Sequence, residues 1–135
     1  MVQDAPTIQE ILPYFIQFLG EDVFVAHNAS FDFGFLEHNC SVHHSHRLEN
    51  HKLCTRKLAN RLLPDLPRKR LQDLCEHFDV ANLQAHRAMA DTKATAEIFS
   101  HLLDHLESAE ISTIEEIIRF QDIPKQKASQ LLRNN

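Results

Sequence analysis

Glycine and tryptophan are scarce: the 135 residues include two glycines and no tryptophan. Neither GxGxxG nor GxxxxGK occurs, which argues against the glycine-rich loops that bind nucleotide phosphates. No apolar run approaches the roughly 18 residues of a membrane helix, so we expect no membrane association. The first ten residues, MVQDAPTIQE, lack the basic region and the apolar stretch of a secretory signal peptide.

Cysteine is also sparse, and its pattern points to a reducing compartment. Cys40, Cys54 and Cys75 form no CxxC motif, and an odd number cannot all pair. We therefore expect a cytoplasmic protein with free thiols. The length and the 43% hydrophobic content fit one globular domain with a modest core.

Positive charge is missing from the first third of the chain and concentrated in the middle. The net charge of −5 is a poor match for a protein held to nucleic acid by bulk positive charge. Residues 1–46 contain no Lys or Arg, whereas residues 52–70 hold seven bases and one acid. This basic stretch is either a surface for a polyanion or a solvated helix face.

The hydrophobic spacing predicts many helices and few strands. Thr7 and Glu10 form a capping box for a helix over about 7–19, which Pro13 should kink or delay. Residues 23–26 are typical of a buried strand. The other predicted elements are a helix from about Ser30, a strand over 53–55, and helices over 56–63, 71–78, 86–106 and 113–120 and after Pro124. Two short strands do not form a stable sheet alone, so strand neighbours are missing.

Two segments carry residues suited to chemistry. His27 to Asp32 follows the predicted buried strand, where α/β folds place ligands. His86 precedes the longest predicted helix and Asp91 lies inside it, about 500° further around the axis, so the two do not share a stripe. Each residue alone has an ordinary structural explanation, such as a charge at a helix N-terminus for Asp32.

Together these segments resemble a known family. VAHNASFDFGFL is similar to the second motif of the DnaQ-like DEDDh 3′–5′ exonucleases, and HRAMADTKATAEIF resembles the third. The intervening LCTRKLANRLLPDLPRKRLQDLCEHFDV is similar to the helices that link these motifs. The resemblance covers about residues 1–106 and is closest to the proofreading domains of bacterial replicative polymerases, of the epsilon-subunit or PolC type.

This resemblance implies an α/β, ribonuclease H-like exonuclease fold and a two-metal hydrolysis. Two Mg²⁺ or Mn²⁺ ions held by four carboxylates activate a water and stabilise the leaving 3′ oxygen. Asp32 and Asp91 match two of those four ligands. His86 matches the general base, a role that suits a side chain titrating near neutrality.

The resemblance also implies residues that shape the site and partners that fill it. His27, Asn28 and Phe31 match substrate-binding positions, Phe31 by packing more than by contact. The substrate implied is a single-stranded or frayed 3′ end of DNA, with RNA left open, and a DNA polymerase subunit is an expected partner.

The sequence departs from the family at its first motif. No Asp is followed by a Glu two positions later, so the Asp-x-Glu that supplies the other two carboxylates is absent. We therefore expect residues 1–106 to form an incomplete exonuclease domain that lacks the first strands of the sheet. Residues 107–135 are expected to be a helical extension or the start of a linker or next domain. Such a chain should show little activity and marginal stability alone.

Two alternatives remain from the sequence. The first is a non-catalytic module that keeps a degenerate exonuclease fold to bind nucleic acid or a polymerase. The second is a transition-metal site in the histidine-rich segment, although its spacing fits no zinc pattern. The residues concerned are His43, His44, His46, His51, Cys40 and Cys54.

Overall fold

The computed structural model describes residues 7–83 and 87–133, and for residues 29–31 it describes the backbone. These ranges contain seven helices and two strands, and both strands lie in the first half of the chain. They are α1 (Ile8–Leu19), β1 (Phe24–Ala26), α2 (Ala29–His44), β2 (Lys52–Cys54), α3 (Thr55–Leu62), α4 (Leu71–Phe78), α5 (Ala88–Ser108), α6 (Ile114–Asp122) and α7 (Lys125–Arg133). None of the described helices is long and apolar enough to cross a membrane.

The two strands form a parallel pair joined by α2. Parallel strands need a long crossover, and the 16-residue helix α2 provides it. Val25 lies opposite Leu53, and Ala26 lies opposite Cys54. This register brings the residues that follow both strands to the same edge of the sheet, which is where the predicted site residues begin.

The described residues pack into two hydrophobic clusters on either side of β1. Alternate side chains of a strand point to opposite faces. Val23 and Val25 accordingly pack against a larger cluster built from β2 and helices α3 to α7, while Phe24 packs against a smaller one from α1 and α2. The strand is therefore the element that joins the two halves of the core.

Helix α1 runs through Pro13 without a delayed start. Thr7 and Glu10 form the predicted capping box, and the helix begins at Ile8. Proline has no N–H, so the carbonyl of Gln9, four residues earlier, loses its helical donor. His44 at the end of α2 donates from Nε2 to this Gln9 oxygen at 2.7 Å. A neighbouring helix thus satisfies the carbonyl that Pro13 leaves open.

The last two helices close the outer edge of β2. Ile117, Phe120 and Ala128 belong to the same cluster as Leu53 and Leu58. The side chain of Gln121 lies against the strand, accepting a hydrogen bond from the Cys54 N–H (2.9 Å) and donating one to the Lys52 carbonyl (2.8 Å). Gln121 therefore pairs with β2 much as another strand would.

The observed elements agree closely with those predicted. The helix predicted to begin near Ser30 begins at Ala29, the strand predicted over 53–55 occupies Lys52–Cys54, and the helix predicted over 56–63 occupies Thr55–Leu62. The mixed α/β class is confirmed as helices around a small parallel sheet, which within the described residues has the order β1-β2.

Candidate functional site

A groove of about 840 Å³ runs along β1 between α1 and α5. Most of its lining is apolar, and its polar groups come from the residues that follow β1 and from α5. The described lining residues are Phe15, Phe24, Val25, Ala26, His27, Asp32, Leu71, Ala88, Asp91, Thr92, Thr95, Ala96 and Phe99. Asp32 and Asp91, predicted from two separate segments, therefore lie on the same groove.

Asp32 reaches the groove from the first turn of α2. The helix begins directly after the β1 edge, with Asn28 as its N-cap in the left-handed region at φ 65°. Partial burial raises the pKa of the Asp32 carboxyl, because the charged form loses solvation. A cation bound beside this carboxylate would offset that loss.

Asp91 lies on the face of α5 that borders the groove. Ala88, Asp91, Thr95 and Phe99 recur at helical spacing and line it. An adjacent stripe, which includes Ala94, Ile98, Leu102 and Leu106, is buried in the larger cluster and fixes the rotation of the helix.

Asn82, at the end of the loop that follows α4, orients Asp91. Its Nδ2 donates a hydrogen bond to Asp91 Oδ1 at 2.9 Å. The Asn82 side chain is half-buried, and its own oxygen Oδ1 has no hydrogen-bond partner among the described residues. The amide is thus held close to the groove and restricts the rotamer of the carboxylate.

The parallel register explains the polar contacts at the mouth of the groove. His27 Nδ1 lies 2.8 Å from Thr55 Oγ1, and Arg56 Nη1 donates to Asn28 Oδ1 at 3.1 Å. Each pair continues the strand register beyond Ala26 and Cys54. Thr55 is completely buried, so it holds the His27 ring in a fixed position.

His27 is a neutral side chain in this setting. Burial lowers the pKa of its imidazole; the Lys69 backbone, close enough to the ring to favour the charged form, opposes the shift, and the Arg56 charge reinforces it. The ring atom Nε2 is buried and lacks a partner with hydrogen-bond geometry among the described residues. His27 therefore lines the groove as an uncharged side chain held by Thr55.

Two predicted site residues fall outside this description. His86 belongs to residues 84–86, which the structure does not describe. For Phe31 the structure describes the backbone and not the side chain. Their predicted roles stay predictions.

The donor chemistry fits part of a divalent-metal site. Asp32 and Asp91 supply oxygen ligands of the kind that Mg²⁺ and Mn²⁺ prefer. Within residues 7–83 and 87–133, no group of three or more His, Cys, Asp or Glu side chains is arranged to hold a metal. The described groups thus form part of a metal site and not a complete one.

The same result bears on the histidine-rich segment. His44 is engaged with the Gln9 carbonyl, and Cys40 and Cys54 are buried free thiols. The part of the chain that the structure describes therefore gives no support to a transition-metal site there.

Sequence reasoning missed two residues that shape the groove. Thr55 lies beside His27 because of the strand register, and the sequence alone does not determine that register. Asn82 belongs to a loop whose path depends on the packing of α4 against α5. The one sequence signal for Asn82 was its position just before the segment that begins at His86.

Comparison with known proteins agrees with this geometry. A family profile described as exonuclease matches residues 1–99. The chain belongs to the exonuclease family. It is 43% identical over 117 residues to a DNA polymerase III of the PolC type from Caldanaerobacter subterraneus, and 41% identical over 112 residues to another from Oceanobacillus iheyensis. A DNA polymerase III epsilon subunit from Aquifex aeolicus is 35% identical over 106 residues.

These matches cover most of this chain but only part of each relative. They span 87%, 83% and 78% of the 135-residue chain described above. They span 8% of each of the two PolC-type proteins and 52% of the epsilon subunit. Family membership therefore rests on residues 1–99, and this range contains the described residues that line the groove.

Proposed function

We propose that this chain contributes the active site of a 3′–5′ exonuclease of the DNA-proofreading type. The observation that carries the proposal is the convergence of Asp32, Asp91 and His27 on one groove at the carboxyl end of β1. Membership of the exonuclease family supports the reaction class.

The proposed division of labour follows the chemistry of each group. Asp32 and Asp91 would hold Mg²⁺ or Mn²⁺, and the ion would supply activation of a water and stabilisation of the leaving oxygen. His86 accepts the proton of that water as general base. Neutral His27, with Asn28 and Phe31, contacts the terminal nucleotide.

We further propose that the site is completed by another strand. Within the described residues β1 pairs on one side with β2, and the groove follows β1 on its other side. A strand seated there would cover the apolar lining and bring an Asp-x-Glu pair to the two aspartates. This interpretation treats residues 1–106 as an incomplete ribonuclease H-like domain and 107–135 as a helical extension packed against it.

The proposed substrate is a single-stranded or frayed DNA 3′ end, with RNA as the alternative polymer. Similarity to DNA polymerase III proteins of the PolC type and to an epsilon subunit supports association with a replicative polymerase. The cytoplasmic location stays a prediction of the sequence. A second function, non-catalytic binding of nucleic acid or a polymerase, is favoured by one observation: no Asp-x-Glu occurs in the chain.

An activity assay on two proteins tests the proposal. One is the 135-residue chain, and the other is a chimera in which an exonuclease segment bearing Asp-x-Glu precedes it. We expect Mg²⁺-dependent release of 3′ nucleotides from labelled single-stranded DNA by the chimera and little release by the chain alone. His86→Ala should abolish the activity of the chimera.

Two outcomes would contradict the proposal. A folded chimera without nuclease activity would favour the non-catalytic module. Robust Mg²⁺-dependent activity of the chain alone, lost in His86→Ala, would instead show that the described groove needs no added carboxylates.

A further inference from the structure

A second depression, next to the groove, is lined almost entirely by cations. It has a volume of about 360 Å³ and is formed where α3 meets the loop that leads into α4. Its lining residues are Arg56, Asn60, Pro67, Arg68, Lys69 and Arg70. We call the four cations the basic cradle. None of the described lining residues is acidic, although the whole protein carries a net charge of −5.

Three of these cations lie outside any ion pair within the described part of the chain, although Arg68 is near enough to Asp73 for its charge to lower the pKa of that carboxyl. Arg70 is paired with Asp73, through Nε at 2.8 Å and Nη2 at 3.2 Å. Lys69 donates to the Leu66 carbonyl, which holds its ammonium without neutralising it. The guanidinium groups of Arg56 and Arg68 form no ion pair among the described residues. Arg56, Arg68 and Lys69 therefore concentrate positive charge at one place.

The basic cradle touches the groove through two residues. Arg56 donates to Oδ1 of Asn28, the residue that follows His27 in the chain. The backbone of Lys69 lies close to the ring of His27, and His27 lines the groove. A chain molecule whose end enters the groove would thus meet the cradle next.

We propose that the basic cradle binds the phosphodiester backbone of the strand whose 3′ end occupies the groove. The inference rests on the proposed function for the identity of the strand. Repeated negative charges on a flexible polymer match Arg and Lys side chains gathered on one surface. Among the described residues no aromatic side chain lines the cradle to stack on bases, which favours a contact that does not select base sequence.

The test is the salt dependence of oligonucleotide binding by the full chain. Fluorescence anisotropy follows a labelled oligothymidine of about twelve nucleotides in a metal-free buffer that prevents hydrolysis. The cradle variant is the double substitution Arg68→Gln with Lys69→Gln. Arg56 is left intact because it also contacts Asn28. A matched control is Arg119→Gln with Lys127→Gln, which removes the same charges from exposed sites of α6 and α7.

We expect the cradle variant to bind about tenfold more weakly at about 50 mM salt. The slope of log affinity against log salt should fall by about 1.4, since each contact with a single strand contributes about 0.7. The control should keep the wild-type slope. The charge-retaining variant Arg68→Lys with Lys69→Arg should bind like wild type. Circular dichroism checks that all variants are folded.

Either of two results would overturn the proposal. One is an equal loss in the cradle and control variants, which would mean general electrostatic attraction. The other is competition by polyglutamate as strong as that by the oligonucleotide, which would mean an acidic protein partner. Because binding is measured without hydrolysis, failure of the cradle and failure of the exonuclease proposal are distinguishable.

Discussion

Burial shifts the two titratable groups at the head of the groove in opposite directions, and both shifts favour the neutral form. The pKa of Asp32 is raised and that of His27 is lowered, in each case chiefly because the charged form loses water. A groove that disfavours charge on an aspartate gains from a bound cation. This is the electrostatic condition expected of a metal-ligand position before the metal arrives.

Asn82→Ala should weaken metal binding without unfolding the chain. The Asn82 amide holds Asp91 Oδ1, and loss of a group that orients a ligand typically lowers metal affinity about 10- to 100-fold. Calorimetric titration with Mn²⁺ measures the affinity, and a thermal melt without metal measures the fold. Asn39→Ala, which removes an amide bonded to the Phe35 carbonyl on α2, is the control.

A large fall in the metal-free Tm of Asn82→Ala, relative to the Asn39→Ala control, would contradict this account. Asn82 would then support the loop rather than the carboxylate.

His27 should make the folded state weaken as the pH falls below neutrality. Its folded pKa lies below the ordinary value of 6.5, so in the window between them the unfolded chain binds a proton that the folded chain does not. Stability from this group is complete above that window and is lost as the pH falls through it. Urea unfolding between about pH 7 and about pH 5 measures the slope.

His27→Gln should flatten this pH dependence, whereas His38→Gln on the exposed side of α2 should leave it unchanged. Identical slopes for wild type and His27→Gln would contradict a buried neutral imidazole.

At the scale of elements, side chains complete what the backbone leaves open. His44 supplies the donor that Pro13 removes from α1. Gln121 hydrogen-bonds to the edge of β2 at which no described strand pairs. The sequence predicted both helices, but neither contact, because each joins residues far apart in the chain. The same reason explains why the sequence could not show that α1 begins at Ile8 without the delay that Pro13 was expected to cause.

Gln121→Leu should destabilise the chain by about 2 kcal/mol. The change leaves the buried Cys54 N–H and the Lys52 carbonyl without partners, and an unsatisfied buried group costs about 1–3 kcal/mol. Urea denaturation measures the difference in unfolding free energy. Gln126→Leu on the exposed surface of α7 is the control and should change stability by less than about 0.5 kcal/mol.

An effect no larger than that of the control would mean that α6 does not seal the edge of β2 in solution.

For the whole molecule, periodicity and motifs predicted the elements well, and they predicted that Asp32 and Asp91 serve one chemistry. They could not place Asn82, Thr55 or Gln121, whose roles depend on strand register and helix packing. The position of the positive charges also depends on folding. The basic run over 52–70 was visible in the sequence, but only folding gathers Arg56, Arg68 and Lys69 around one depression and brings Arg56 and Lys69 near His27.

The central claim is that Asp32 and Asp91 form one metal-binding site in this groove. Electron paramagnetic resonance of Mn²⁺ added to the 135-residue chain tests it most directly. We expect one weakly bound ion, lost to a similar extent in Asp32→Asn, in Asp91→Asn and in the double variant, because both carboxylates bind the same ion. Mn²⁺ binding that survives in both single variants, or losses that add independently in the double variant, would contradict the claim.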